Sequence, residues 1–194
     1  MILKRNIFFL FLLFLQAICF CQNVDSLNTN LKREKDDSLA LAAQLELIEL
    51  KKESNDKKGL SFVYHSVAQV YYDKQAYETS VEYFMLSLII CRENHDDIGM
   101  ANCYQSLADA HKKLSHYAEG IRYYSDAIDV YTDLGDKTDM ADCYLGISSI
   151  YEIKKNISQA ISHTRNAQNL YTYTRNKEKI EMCIARIKKL KSER

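Results

Sequence analysis

The sequence has no proline and no tryptophan, and only five of its 194 residues are glycine. Asn-Gly, Asp-Gly and proline-containing turns, the short-range signals of a β-hairpin, do not occur. That leaves helices joined by short polar turns. An excess of charge is also missing: 26 Lys and Arg stand against 26 Asp and Glu, so no electrostatic footprint for nucleic acid exists at whole-chain level. Zinc spacings of the CxxC and HExxH kind, glycine-rich phosphate loops and a serine-centred elbow are all absent. The expectation is a chain without catalytic residue, cofactor or metal.

What is present is repetition. The stretch "MANCYQSLADAH" (Met100–His111) is echoed forty positions on by "MADCYLGISSIY" (Met140–Tyr151). The same interval links Tyr64, Tyr104 and Tyr144; Val67, Leu107 and Ile147; Ala68, Ala108 and Ser148; and Tyr71, His111 and Tyr151. A second series runs through Tyr77, Tyr117 and Ile157, then Ser80, Gly120 and Ala160, then Phe84, Tyr124 and Thr164, then Ser87, Ala127 and Ala167. Within each unit the apolar places fall at i, i+3, i+4 and i+7, one face of a helix. Each unit is therefore two amphipathic helices, A and B. Asp56, Asp96, Asp136 and Asn176 recur just before each A helix, where a side-chain oxygen can accept from unpaired backbone N–H groups. Gly135, before Asp136, suits the end of the preceding helix.

In order and spacing, Tyr104, Leu107, Ala108, Tyr117, Gly120, Tyr124 and Ala127 resemble the tetratricopeptide repeat. The resemblance covers roughly Lys57 to Asn176 in three copies, with a forty-residue unit in place of the family's usual thirty-four and without the proline that often closes a repeat. It implies an all-α fold, a right-handed superhelical array of antiparallel helix pairs. The expected organisation is a signal peptide (1–21), a degenerate N-terminal helix pair (22–56), three repeats (57–96, 97–136, 137–176) and a C-terminal capping helix (177–194), nine helices in all. Val24, Leu27 and Leu31 mark a weak first A helix, and Leu39, Ala40, Ala43, Leu47 and Leu50 its B helix.

The N-terminus reads as an export signal. Lys4 and Arg5 precede the nine apolar residues Ile7–Leu15, a run shorter than the ~20 residues a bilayer-spanning helix needs. Three fates stay open: cleavage before Gln22, lipidation at Cys19 or Cys21, or retention as an anchor. Cleavage removes two basic residues and no acids, leaving 24 basic against 26 acidic residues. The location expected is the periplasm or cell envelope of a bacterium, with membrane contact only through this segment.

Cys103, Cys143 and Cys183 precede the signature tyrosine place, which in the first copy follows Val63. A position that takes valine or cysteine is a small packing site, and free cysteine packs as a small hydrophobe. Cys91 and Cys103, at the end of one B helix and the start of the next A helix, could form a bridge in an oxidising compartment. His111 replaces a core-side tyrosine, and His65, His95, His116 and His163 form no ligand spacing. Arg186, Lys188, Lys189, Lys191 and Arg194 form a basic tail opposed only by Glu193.

The family's A helices line a concave groove that holds peptide segments. Helical phase puts Phe62, His65, Gln69 and Tyr72 on that side in the first repeat. Asn102, Gln105, Asp109 and Lys112 follow in the second, and Asp142, Leu145, Ser149 and Glu152 in the third. One end is aromatic, the other polar and mildly acidic. The reading is a non-enzymatic, exported scaffold for a protein or peptide partner, with a sensor or regulatory input module of an envelope signalling system as the alternative.

Overall fold

Every helix of the described chain starts twenty positions after the start of the one before it. The structure, a computed structural model, describes residues 37–192, which form eight helices and no strand. They are α1 (Asp37–Glu53), α2 (Lys57–Asp73), α3 (Tyr77–Glu93), α4 (Asp97–Lys113), α5 (Tyr117–Leu134), α6 (Lys137–Ile153), α7 (Ile157–Tyr173) and α8 (Lys177–Ser192). The chain divides into two units at Ser54/Asn55. In the first, α1 takes the place of the expected B helix, with Leu47 and Ile48 buried. The weak helix expected around Val24–Leu31 and the export segment lie outside the described residues.

In the second unit α2, α4 and α6 are A helices, α3, α5 and α7 are B helices, and α8 ends the series. Two- or three-residue links make the reversal possible. Each link within this unit holds one residue in the left-handed region: Gln75, His95, Ser115, Gly135, Lys155 and Arg175, with φ between 53° and 75°. The residue after it sends its N–H back to the carbonyl five residues earlier, as in Ala76 to Tyr71 (2.9 Å), Asp96 to Cys91 (2.9 Å) and Asn156 to Tyr151 (2.8 Å). This double closure satisfies carbonyls that a helix end would otherwise leave unpaired. The next helix is capped at once. Asp56 and Asp96 accept from the N–H of Gly59 and Gly99 (2.9 and 3.0 Å), Asp136 from Thr138 and Asp139, and Asn176 from Lys179. Asn156 caps α7 in the same way through Gln159.

Small residues let paired helices approach. Ser80, Gly120 and Ala160 are buried, and a Cβ at Gly120 would stand 3.3 Å from the carbonyl oxygen of Ala108. Along the helix pairs runs a ladder of rings. Tyr71 stacks on Tyr83, His111 on Tyr123 and Tyr151 on His163, with centroids 5.5, 5.3 and 5.4 Å apart. Tyr64, Tyr104 and Tyr144 sit behind the same B-helix rings at 6.2, 6.3 and 6.0 Å. The core-side phase expected for Tyr64 holds, since it is buried, while Tyr71 is half-buried and owes its place to Tyr83. On α8 Cys183, Ile187 and Leu190 are buried, but Ile184, in the signature tyrosine place, is 52% exposed because no B helix follows among the described residues to cover it.

Candidate functional site

Successive A helices touch: α2 reaches α4, and α4 reaches α6, whereas among the described residues no two B helices come equally close. The twelve candidate groove residues lie on these three A helices, α2, α4 and α6.

Their surroundings differ along the array. At the α2 end Phe62 is 55% exposed, and Gln69 holds Asp73 through its amide N–H (2.9 Å). The ring of Tyr72 meets Tyr77 edge-on, and burial, with Asp109 adding to it, pushes its phenol up to about 12. His65 lies against Phe84 with centroids 4.9 Å apart, and its Nε2 pairs with Ser106 Oγ at 3.1 Å. Burial lowers its pKa and so favours the neutral ring.

In the middle and at the far end, the polar groups already have partners. The Tyr131 hydroxyl donates to Asn102 and Gln105 (2.9 and 3.1 Å). Asp109 takes Lys112 and the Tyr124 hydroxyl. Asp142 accepts from Tyr171 (2.6 Å) and Lys179 (2.9 Å). Glu152 pairs with Arg186 at 2.8 Å and Lys189 at 3.8 Å. Ser149 donates to the Gly146 carbonyl, and Leu145 is half-buried beside Tyr171 and Cys183. The acidic end is thus matched by cations of the neighbouring helix. The reading of the basic tail needs correction in the same place: Arg186 and Lys189 face Glu152, which lies on α6, one helix pair away in space.

One concavity stands out on this face, a cleft of about 580 Å³ between α2, the end of α3 and the start of α4. Five of the candidate residues, Phe62, His65, Asn102, Gln105 and Asp109, line it. Gln69 and Tyr72 do not. Sequence reasoning leaves out Ser87, Cys91, Gly99 and Cys103 beneath it and Ile98, 62% exposed, at its lip.

Cys91 and Cys103 are free thiols, as are Cys143 and Cys183, and all four are buried. Cys103 donates to Ser87 Oγ at 3.3 Å, and Ser87 Oγ donates to the Ser61 carbonyl. Hydrogen bonding between the two thiols lowers the pKa of Cys91, while the same bond and burial raise that of Cys103. Burial raises Cys143 and Cys183 as well. Among the described residues no group of three His, Cys, Asp or Glu side chains is placed to hold a metal ion, and no helix is long and apolar enough to cross a membrane.

A signal for the cleft does exist in the sequence. Cys91 falls in one forty-residue series with Tyr131 and Tyr171. Burial raises the pKa of the Tyr131 phenol, and Asp139, Cys143, Asp136 and Asp142 lie near enough to raise it further. Their mates one repeat earlier, Gly99, Cys103, Asp96 and Asn102, line the cleft. The cleft is therefore the place that a tyrosine ring fills in the other two repeats.

A stack of antiparallel helix pairs is a helical repeat array, the architecture of a protein-interaction scaffold. The tetratricopeptide repeat family model matches residues 60–133, the stretch from α2 to α5. Among solved structures it is similar to BtubC (BKLC) from P. vanneervenii, with a TM-score of 0.68 at 18% identity over 88% of this chain and 80% of that one. It is similar to the apo form of RapI, with a TM-score of 0.75 at 16% identity over 83% of this chain and 45% of that one. A third is a signal transduction ATPase with a tetratricopeptide repeat sensor from Pyrococcus horikoshii, with a TM-score of 0.73 at 18% identity over 83% of this chain and 25% of that one. The chain thus spans less than half of the latter two, and at these identities the likeness is one of fold. No curated protein sequence matches it.

Proposed function

We propose that this protein is an exported, non-enzymatic scaffold that holds a peptide segment of a partner along its A-helix face. The observation that carries the reading is the cleft at the α2–α4 end. There the A-helix face is concave and its large apolar side chains, Phe62 and Ile98, lack cover. The rest of that face is closed by its own ion pairs and hydroxyl bonds, which makes the cleft end the anchoring end. A few well-placed side chains, aromatic ones above all, dominate binding energy at such interfaces, each contributing about 2 kcal/mol or more. Export rests on the basic start and the short apolar run Ile7–Leu15.

A photo-crosslinking amino acid placed at Phe62, against one at Asp129 on the exposed side of α5, tests the site in the native cell envelope. Capture of one partner from position 62 and none from 129 is the expected result; the reverse places the site on the B-helix side. Intact-mass analysis tests export, with a mature chain beginning at Gln22 expected. A diacylated Cys19 or Cys21, or a retained Met1, points to a membrane-attached form. A sensor input module is the second reading. It draws on the repeat sensor named for the Pyrococcus neighbour, a likeness of fold at 18% identity.

A further inference from the structure

From the internal comparison of the repeats we infer that the cleft is a socket for one aromatic side chain of the partner, a phenylalanine in preference to a tyrosine. The inference rests on the groove reading above and names the residue that the groove takes.

The second and third repeats show what the place is shaped for. In each, a B-helix tyrosine enters between two A helices and is buried, Tyr131 at 2% and Tyr171 at 0% exposure. In the first repeat that tyrosine is Cys91, so the ring is absent while part of its surroundings is kept: Cys103 matches Cys143, and Asp96, the N-cap of α4, matches Asp136, the N-cap of α6. Gly99 and Asn102, by contrast, stand where the next repeat has the larger or charged Asp139 and Asp142. An internal ring is missing, and a ring from outside restores the packing of the other two repeats.

The side that receives the internal hydroxyl differs, and so does the direction from which an outside ring arrives. Tyr131 gives its proton to Asn102 and Gln105, and Tyr171 gives its proton to Asp142. The mates of Asn102 and Gln105 in the first repeat are Phe62 and His65. The Phe62 side chain accepts nothing, and His65 is already paired with Ser106. A ring from outside enters by the mouth, so a tyrosine hydroxyl would land at the floor beside Cys91, Cys103 and Ser87. There Ser87 Oγ already accepts from Cys103 and donates to the Ser61 carbonyl. The hydroxyl gives up water without a full replacement, which costs affinity. A phenylalanine ring gives up nothing. The lip agrees with an apolar visitor, since Phe62 and Ile98 are the exposed apolar side chains at its mouth.

The test is selection of a random peptide display library on the full chain, followed by measured affinities for synthetic versions of the enriched peptides. Enriched peptides share a phenylalanine whose change to alanine weakens binding at least tenfold and to tyrosine about threefold. Cys91→Tyr, which fills the socket from within, weakens the same peptides at least tenfold without lowering Tm, while Cys91→Ala leaves them within twofold. Should Cys91→Tyr melt early, Ile98→Asp at the exposed lip reads the same loss without touching the core. Peptides without an aromatic residue, or ones that bind Cys91→Tyr as well as the parent, overturn the socket. If those peptides still compete at Phe62, the groove reading survives; if they compete on the B-helix side, or if none is selected, both fall.

Discussion

The imidazole of His111 lies on the ring of Tyr123, centroids 5.3 Å apart and planes 22° from parallel. The neighbouring repeats hold the same geometry with Tyr71 on Tyr83 and Tyr151 on His163. Burial lowers the pKa of His111, and His116 adds to it, against a counteracting pull from Glu119. Burial alone lowers that of His163, and burial lowers that of His65. A histidine whose folded pKa lies below its unfolded value takes up its proton more readily when unfolded, so stability falls as pH drops below about 6.5. Tm should fall from pH 7 to pH 5. His111→Tyr, which copies the residue of the flanking repeats, should flatten that fall while keeping the stack, as circular dichroism melts at several pH values will show.

Left-handed turns make a second prediction. Ser115 and Lys155 hold φ of 62° and 58°, a conformation that costs a side chain roughly 1–2 kcal/mol and glycine almost nothing. Lys155→Gly should stabilise by ~1 kcal/mol, raising Tm by roughly 2–4 °C in a unit of this size. Gly135→Ala, at φ 75°, should lower it by a similar amount. Equal melting of all three proteins would mean that these links are not the closures described.

Gly146 is the third. A Cβ there would come within 2.2 Å of the Tyr124 ring, which is 2% exposed and held by its hydroxyl to Asp109. Such a ring cannot swing aside. Gly146→Ala should destabilise by ~1–3 kcal/mol through overpacking, and Gly146→Ala with Tyr124→Phe should recover part of that, since loss of the hydroxyl removes both its contact and its tether. Urea melts of the two variants and the parent give the comparison.

Glu152 makes the fourth. It faces Arg186 and Lys189 on α8, with side chains 25–66% exposed, so the pairing is worth ~1 kcal/mol or less. Glu152→Lys turns that attraction into repulsion at the last helix. Amide hydrogen exchange in 177–192 should quicken while α4 and α5 keep their protection, and added salt should lessen the difference.

Legibility in the sequence followed how much a residue's type says about its surroundings. Tyr64, Tyr104 and Tyr144 recur at one interval with small and aliphatic residues at fixed offsets, and that pattern has no reading other than a helix face. Asp56, Asp96 and Asp136 declare themselves as caps because a short acceptor before a helix has few other uses. By contrast Gln75, His95, Lys155 and Arg175 carry no mark of a left-handed turn; neighbouring closures force it on them. The rings of Tyr83, Tyr123 and His163 stand on B helices whose other positions repeat more loudly. At the groove, helical phase places a side chain on a face but is silent about partners. It therefore puts Asp142 and Glu152 on the A-helix face without their cations, which come from the next helix pair. Cys91 is the most instructive position, because a cysteine attracts attention as a thiol when its meaning here is the tyrosine it replaces.

The equal step from helix to helix has a bearing on how such a chain can change its length. Each reversal is complete within three residues and each A-helix cap is supplied by the residue next to it, so a cut made at Asp96 and another at Asp136 leaves ends that match in both backbone direction and side-chain register. Excising or duplicating the stretch between them is an operation of the kind performed on beads of one string. The grammar survives, the neighbours of each bead are of the same kind as before, and only the number of places along the A-helix face is altered. Which beads carry a tyrosine at the fifteenth place of the B helix, and which carry something smaller, would then decide where along a longer or shorter string a visitor can sit.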